Sequence, residues 1–151
     1  MQSKEQARQP QGCTNLKLRQ ASRLVARLYD AELSPTGLHK TQYSLLSHVV
    51  KLGPATAGDI ARTMRLDAST LSRNLQPLVQ AGWVEVACGD DARQRVIRAT
   101  TSGAALRAEA QRAWKRAQLA LNARLGDANV RELHDLLDRL IERLGDGRES
   151  G

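Results

Sequence analysis

The sequence predicts a mainly α-helical fold with one small β-hairpin, and three observations predict it. Residues 56–82 read as two short amphipathic segments across a three-residue turn. Residues 83–99 read as two alternating strands around a tip containing glycine and aspartate. On either side, long stretches repeat leucine and alanine at three- and four-residue steps, the period of a helix face. Phenylalanine is absent and aromatics make up only 3% of the chain, so leucine and alanine must build the core, which suits helices. At 151 residues the chain is one domain, or one domain with extended arms.

Residues 1–13 are rich in glutamine, charge, proline and glycine and are expected to be a flexible arm. A helix follows from Thr14 to about Leu33, with Leu18, Ala21, Leu24, Val25, Leu28 and Ala31 as its buried stripe. Arg19, Arg23 and Arg27 recur every four residues along another face. That row reads either as a solvated stripe or, for Arg23 and Arg27, as one wall of an anion-binding cleft. Ser34-Pro35-Thr36-Gly37-Leu38 breaks the helix. The next one runs from about Lys40 to Leu52, with Tyr43, Leu45, Leu46, Val49 and Val50 apolar, and Gly53-Pro54 ends it.

The central stretch is the most informative. Thr56 opens a helix over Ala57–Met64 with Asp59 in its first turn, where a carboxylate suits the helix dipole. Arg65-Leu66-Asp67 is a turn, Asp67 is a good N-cap, and a second helix runs from Ala68 to Ala81 until Gly82 stops it. Pro77 lies inside that helix, where it removes a backbone donor and should kink or shorten it. Leu71, Leu75, Leu78 and Val79 face a core. Ser69, Thr70, Ser72, Arg73 and Asn74 lie largely off it, and short hydroxyls, an amide and an arginine are the groups that read base edges and phosphates. A plain solvated helix face is the competing reading. Trp83–Val86 and Val96–Ala99 alternate as strands, with Ala87–Arg95 as the loop between them. Arg93 and Arg95 are expected to project beyond the turn, a charge suited to a narrow minor groove. Asp91 either holds Arg93 in orientation or forms an unrestrained surface pair.

Thr100 caps a long helix from Thr101 to about Leu125, in which Leu106, Ala110, Ala113, Trp114, Ala117, Leu121 and Leu125 recur. Gly126 closes it, and Asp127 opens a last helix to about Leu144. Val130, Leu133, Leu136, Leu137, Leu140, Ile141 and Leu144 form a stripe too apolar to stay exposed. A two-fold partner would cover what the chain cannot, while a monomer with the stripe folded inward is the alternative. Residues 145–151 are a polar tail expected to fray.

The formal net charge of +7 and pI of about 10.1 favour a polyanionic partner. No Gly-rich phosphate loop, metal-ligand cluster or paired nucleophile is present, so no enzyme, metal or cofactor is expected. The three histidines and two cysteines lack any zinc spacing. No apolar run approaches a membrane span and residues 1–11 hold no apolar signal region, so the chain is expected to be cytoplasmic. Cys13 and Cys88 need not pair.

Asp91-Ala92-Arg93, Val96-Ile97, Thr100 and Gly103 together resemble the wing signature of the MarR family of winged-helix repressors. Asp67-Ala68-Ser69-Thr70-Leu71-Ser72-Arg73, with Leu78 and Ala81-Gly82-Trp83-Val84, is similar to the family's recognition helix and its exit. Ala99 departs from the pattern, standing where a larger aliphatic residue is usual, and Pro77 is a second departure. The resemblance implies a winged helix-turn-helix over residues 41–100 with a helical dimerisation domain from 14–40 and 101–144. It implies a homodimeric repressor on a pseudo-palindromic operator, with Ser69, Thr70, Ser72, Arg73, Asn74, Arg93 and Arg95 toward double-stranded DNA. It also implies release by a small aromatic or phenolic ligand, with Arg23, Arg27, Tyr43 and Trp114 as contributors. A thiol switch at Cys13 is the alternative, since relatives that sense organic hydroperoxides carry a cysteine near there and Lys17 and Arg19 are close. An ordinary small apolar role for Cys13 competes with the switch. A helical interaction adaptor that does not bind DNA is a further alternative.

Overall fold

The computed structural model describes residues 11–91 and 93–145. Most of the expected arm, Ala92 of the wing and the tail beyond Gly145 lie outside the described residues. Six α-helices and a small sheet follow in order: α1 (Thr14–Leu33), α2 (Lys40–Leu52), β1 (Ala55–Thr56), α3 (Ala57–Met64), α4 (Ala68–Gln80), β2 (Val84–Cys88), β3 (Arg95–Ala99), α5 (Thr101–Leu125) and α6 (Asp127–Gly145). A 3₁₀ turn, Ser34–Thr36, ends α1, and Gly37 in the left-handed region (φ 79°) redirects the chain.

Local capping fixes where the helices begin. Thr56 accepts from the Asp59 amide, Asp67 from the Thr70 amide, and Thr100 from the Gly103 amide. Each satisfies one of the orphan N–H groups at a helix start. At α2 the Gln42 side chain accepts from the His39 amide. Asp30 reaches across from α1 to the Lys40 amide, tying the two helices at that corner.

The head, from α2 to β3, closes around Leu45, Leu46, Val49, Ile60, Leu71, Leu78, Val84 and Ile97, all buried. Leu33 and Leu38 complete it together with Ala110 and Ala113 of α5, the helix that packs on α1. The sheet is three-stranded and antiparallel in the order β1-β3-β2. The hairpin pairs Val84 with Ala99, Val86 with Ile97 and Cys88 with Arg95, while Ala55 and Thr56 pair with Ile97 and Val96.

The sheet passes into α5 through a tight junction. The Thr100 amide donates to the Trp83 carbonyl and its hydroxyl to the Gly82 carbonyl. Gly103 is buried there, and a Cβ on it would collide with the Trp83 carbonyl oxygen and lie 2.8 Å from its carbon. The Thr100 and Gly103 positions are therefore one device: the threonine starts the helix, and the glycine lets that helix meet the strand backbone.

Several expectations require correction. The wing strands are longer than the alternation suggested, so Cys88 and Arg95 stand within strands near the tip, and Arg95 does not project beyond the turn. The strand β1 was not anticipated. The α1 stripe is not buried within the chain: Leu18, Leu24 and Val25 are exposed, and only Leu33 of that helix is fully covered. Periodicity told which side of α1 is apolar but not that nothing in this chain covers it. Val79 is partly exposed, unlike Leu71 and Leu78. Pro77 is accommodated within α4, which continues to Gln80, with the Pro77 carbonyl accepting from the Ala81 amide.

Candidate nucleic-acid interface

The start of α4 is organised by Asp67. Its carboxylate accepts from the Thr70 amide at 2.7 Å and from the Ser69 hydroxyl at 2.8 Å. These bonds, led by the Thr70 amide and aided by Arg73, hold its carboxyl down at about 2. The chain of contacts continues outward, since Arg73 Nη2 donates to the Thr70 hydroxyl at 3.4 Å. Ser69 and Thr70 thus serve the cap while lying on the outer side of the helix, and Arg73 is exposed beside them. Asn74 is half-buried along the same helix.

Ser72 has a different setting. It lines an apolar cavity of about 200 Å³ between α3, α4 and the wing, with Ala57, Ala61, Leu75, Val86 and Arg95. Strand alternation puts Arg95 on the Val86–Ile97 side of the hairpin, toward α4. Arg93 sits at the exposed tip, where Asp91 accepts from its main-chain amide at 3.1 Å. Asp91 therefore shapes the turn, and no ion pair between it and the Arg93 guanidinium exists among the described residues. On the wing's other face Arg98 pairs with Glu85. Arg95 thus shares a cavity with Ser72 and Leu75 of α4, and Arg93 stands farther out at the tip of the same wing.

The remaining candidates lie elsewhere. Tyr43 is buried and stacks on Trp114 at 6.4 Å between ring centroids, and Tyr29 joins the cluster at 6.0 Å. Tyr29 donates to Gln118, and burial raises its phenol pKa. Farther along the same α2–α5 seam, half-buried Arg107 donates to Ser47 at 3.4 Å and to Gln111 at 2.9 Å. Nothing local in the sequence marks Tyr29 or Arg107, because only the packing of α1 and α2 on α5 brings Tyr29 to Trp114 and Arg107 to Ser47. Arg23 and Arg27 are exposed on α1. Cys13 is exposed at the N-cap of α1, where its sulfur accepts from the Leu16 amide at 3.5 Å, and Cys88 is also a free, exposed thiol. No group of metal-ligating side chains occurs among the described residues, and none of their helices is long and apolar enough to cross a membrane.

The chain is similar to known proteins over this whole arrangement. A family model described as MarR family matches residues 36–94, from the end of the 3₁₀ turn to the wing tip. An uncharacterised HTH-type transcriptional regulator of Bacillus subtilis, YwoH, is 31% identical over 81 residues, which is 54% of this chain and 59% of that protein's length. The transcriptional regulator MOSR of M. tuberculosis, solved in complex with DNA, is 33% identical, with a TM-score of 0.75 over 88% of this chain and 98% of that one. A cysteine-to-serine mutant of MarR from E. coli, solved with operator DNA, shares the fold, with a TM-score of 0.78 at 24% identity over 84% of this chain and 92% of its own. With the winged head matched by the family model and near full-length similarity to a solved regulator, the chain belongs to the MarR family of transcriptional regulators, which are not enzymes.

Proposed function

We propose that the chain is a repressor that binds double-stranded DNA sequence-specifically, as a homodimer on a pseudo-palindromic operator. The observation that supports this reading most is the outward polar flank of α4, with Ser69, Thr70 and Arg73, on a chain of net charge +7 whose adjoining wing carries Arg93 and Arg95. The helix bearing those residues buries Leu71 and Leu78 behind them, so the polar flank is held out from a rigid support. A homologous regulator in complex with DNA supports the same partner.

In this reading α4 enters the major groove, with Arg73 and Asn74 on base edges and Ser69, Thr70 and Ser72 at edges or phosphates. Arg93 enters the flanking minor groove and Arg95 closes the space between wing and helix. Two heads related by a two-fold axis would meet successive grooves about 34–36 Å apart. The exposed apolar residues of α1 and α6 supply the surface for that association, with the helical ends interlocking.

Arg73→Ala should cost roughly 1–3 kcal/mol of operator binding and relax sequence preference, whereas Arg93→Ala should weaken all duplexes alike and lower the salt slope by about 1. Gel shifts at fixed salt with the chain's own upstream DNA test this. Parent-like titrations by both variants would remove the assignment, and no binding by the parent would favour an adaptor role.

Effector release forms part of the same proposal. The Tyr29–Tyr43–Trp114 cluster lies where α1, α2 and α5 meet, so an aromatic or phenolic ligand inserted there would alter the angle between head and helical ends. Arg23 and Arg27, outside that cluster, would act on the ligand only from a partner-covered surface. A second reading rests on Cys13, whose exposed thiol at a helix N-terminus is open to oxidants. Repeating the gel shift with phenolic acids, and with peroxide on parent and Cys13→Ser, separates the two.

A further inference from the structure

Arg65 occupies a position that its backbone does not favour. It is the one non-glycine residue with positive φ (53°) among the described residues, in the turn between α3 and α4. Glycine or asparagine meets that conformation at lower cost, since the Cβ of most L residues crowds the following carbonyl in the left-handed region. An arginine there is better explained by what its side chain reaches than by the turn.

The side chain reaches the far end of the chain. A Cβ built on Gly145 would collide with Arg65 Nη1, and would lie 3.0 Å from Cζ and 3.2 Å from Nη2. The flat guanidinium therefore rests on the backbone of the last residue of α6, in space that a side chain at 145 would fill. A helix C-terminus carries partial negative charge and carbonyls without intrahelical partners, which suits a cation with five donors. Among the described residues no carboxylate pairs with Arg65, and what its guanidinium meets there is the Gly145 end of α6. Its placement matters because α6 otherwise packs on α5, and α5 leaves the head through the Thr100 junction. Arg65 supplies a second tie, from the turn that aims α4 to the helix carrying the exposed apolar stripe.

We infer that Arg65 is a positioning residue: a strut from the helix-turn-helix to the C-terminal end of α6 that sets the angle of the recognition helix relative to the helical ends. The inference rests on the DNA-binding reading above. In a two-headed molecule such a strut governs the half-site spacing tolerated, not the bases read.

The test compares Arg65→Gly, Gly145→Val and the double variant in the full chain, using duplexes that the parent enriches from a random pool. Gly145 lies outside the positive-φ region, so valine is conformationally permitted there, and it expels the guanidinium while leaving Arg65 itself in place. Each single variant should weaken binding on the order of two- to thirtyfold. The double should be no weaker than the worse single, and all three should lose preference among duplexes with half-sites moved one base pair closer or farther. Arg65→Gly should melt no lower than the parent, because glycine relieves the left-handed backbone. Faster amide exchange in the last turn of α6 should accompany it.

If only Arg65→Gly weakens binding and lowers the salt slope, Arg65 is a phosphate contact and the strut is wrong. Parent-like affinity and spacing in both single variants also overturns it. Should the parent bind no duplex in a salt-sensitive way, the DNA reading fails by itself. Unchanged amide exchange at the end of α6 in Arg65→Gly would then overturn the strut independently.

Discussion

The head and the helical ends differ in how they settle their apolar surface. Ile60, Leu78 and Ile97 of the head are at most 1% exposed, and polar neighbours cap each helix. In the ends, Leu24 is 64% exposed, Leu136 51% and Leu144 73%, although they lie on stripes as regular as any in the head. One region is a completed fold, and the other leaves its apolar stripes uncovered by this chain, as half of an interface would under the proposed dimer. The difference teaches that helical periodicity specifies an apolar side without specifying whether the same chain covers it.

The largest expected effect would break the head. Gly103→Val would push a branched side chain into the Trp83 carbonyl, where backbone cannot yield, and should cost about 3 kcal/mol or more. Chemical denaturation followed by tryptophan fluorescence reads it through a lower midpoint. Gly82→Ala is the control: its Cβ would meet open space, leaving only the positive φ of 77°, so its loss should stay near 1 kcal/mol. Equal losses would mean that the close approach of α5 to the strand is not what constrains residue 103.

The next effect sharpens the other side of the comparison. Leu136→Glu with Ile141→Glu places two charges on the exposed face of α6. If that face is half an interface, sedimentation velocity should show a shift from dimer to monomer, and far-UV circular dichroism should show the head still folded. A parent already monomeric at micromolar concentration would refute the comparison outright.

How much of this was readable in the sequence follows from the range of the interactions. The bounds of α3 and α5 were legible because Thr56 and Thr100 cap through bonds to residues three positions on. The strand ends were not, because Cys88 belongs to β2 only through Arg95, and Ala55 is a strand residue only through Ile97. The outward flank of α4 was legible from its short polar side chains, yet nothing local distinguishes Ser72, which faces the cavity beside the wing, from Ser69, which serves the cap. Arg65 was invisible as anything but a turn residue, since its contact lies 80 positions away at Gly145.

A smaller effect concerns the junction between the two regions. Thr100→Ala removes the acceptor for the Gly103 amide and the donor to the Gly82 carbonyl, and should lower stability by about 1 kcal/mol. Thr100→Ser keeps both bonds and should recover most of it in the same denaturation experiment. Failure of serine to rescue would assign the residue's effect to its methyl packing.

The smallest effect lies in the head and appears only in acid. Asp67 has its pKa lowered from 3.8 to about 2 by the Thr70 amide and the Ser69 hydroxyl. The folded state therefore holds the carboxylate more firmly than the unfolded chain does, and the associated stability is fully present above about pH 4. It should fade as pH falls from about 4 toward 2, when protonation removes an acceptor from the Thr70 amide. Asp67→Asn retains a capping oxygen but cannot titrate, so its stability relative to the parent should rise as the pH is lowered through that window. Because the carboxylate stands in solvent at the start of α4, the helical ends should be indifferent to the change. A parallel loss of dimer in that interval, in parent but not variant, would show the two regions to be coupled through the recognition helix.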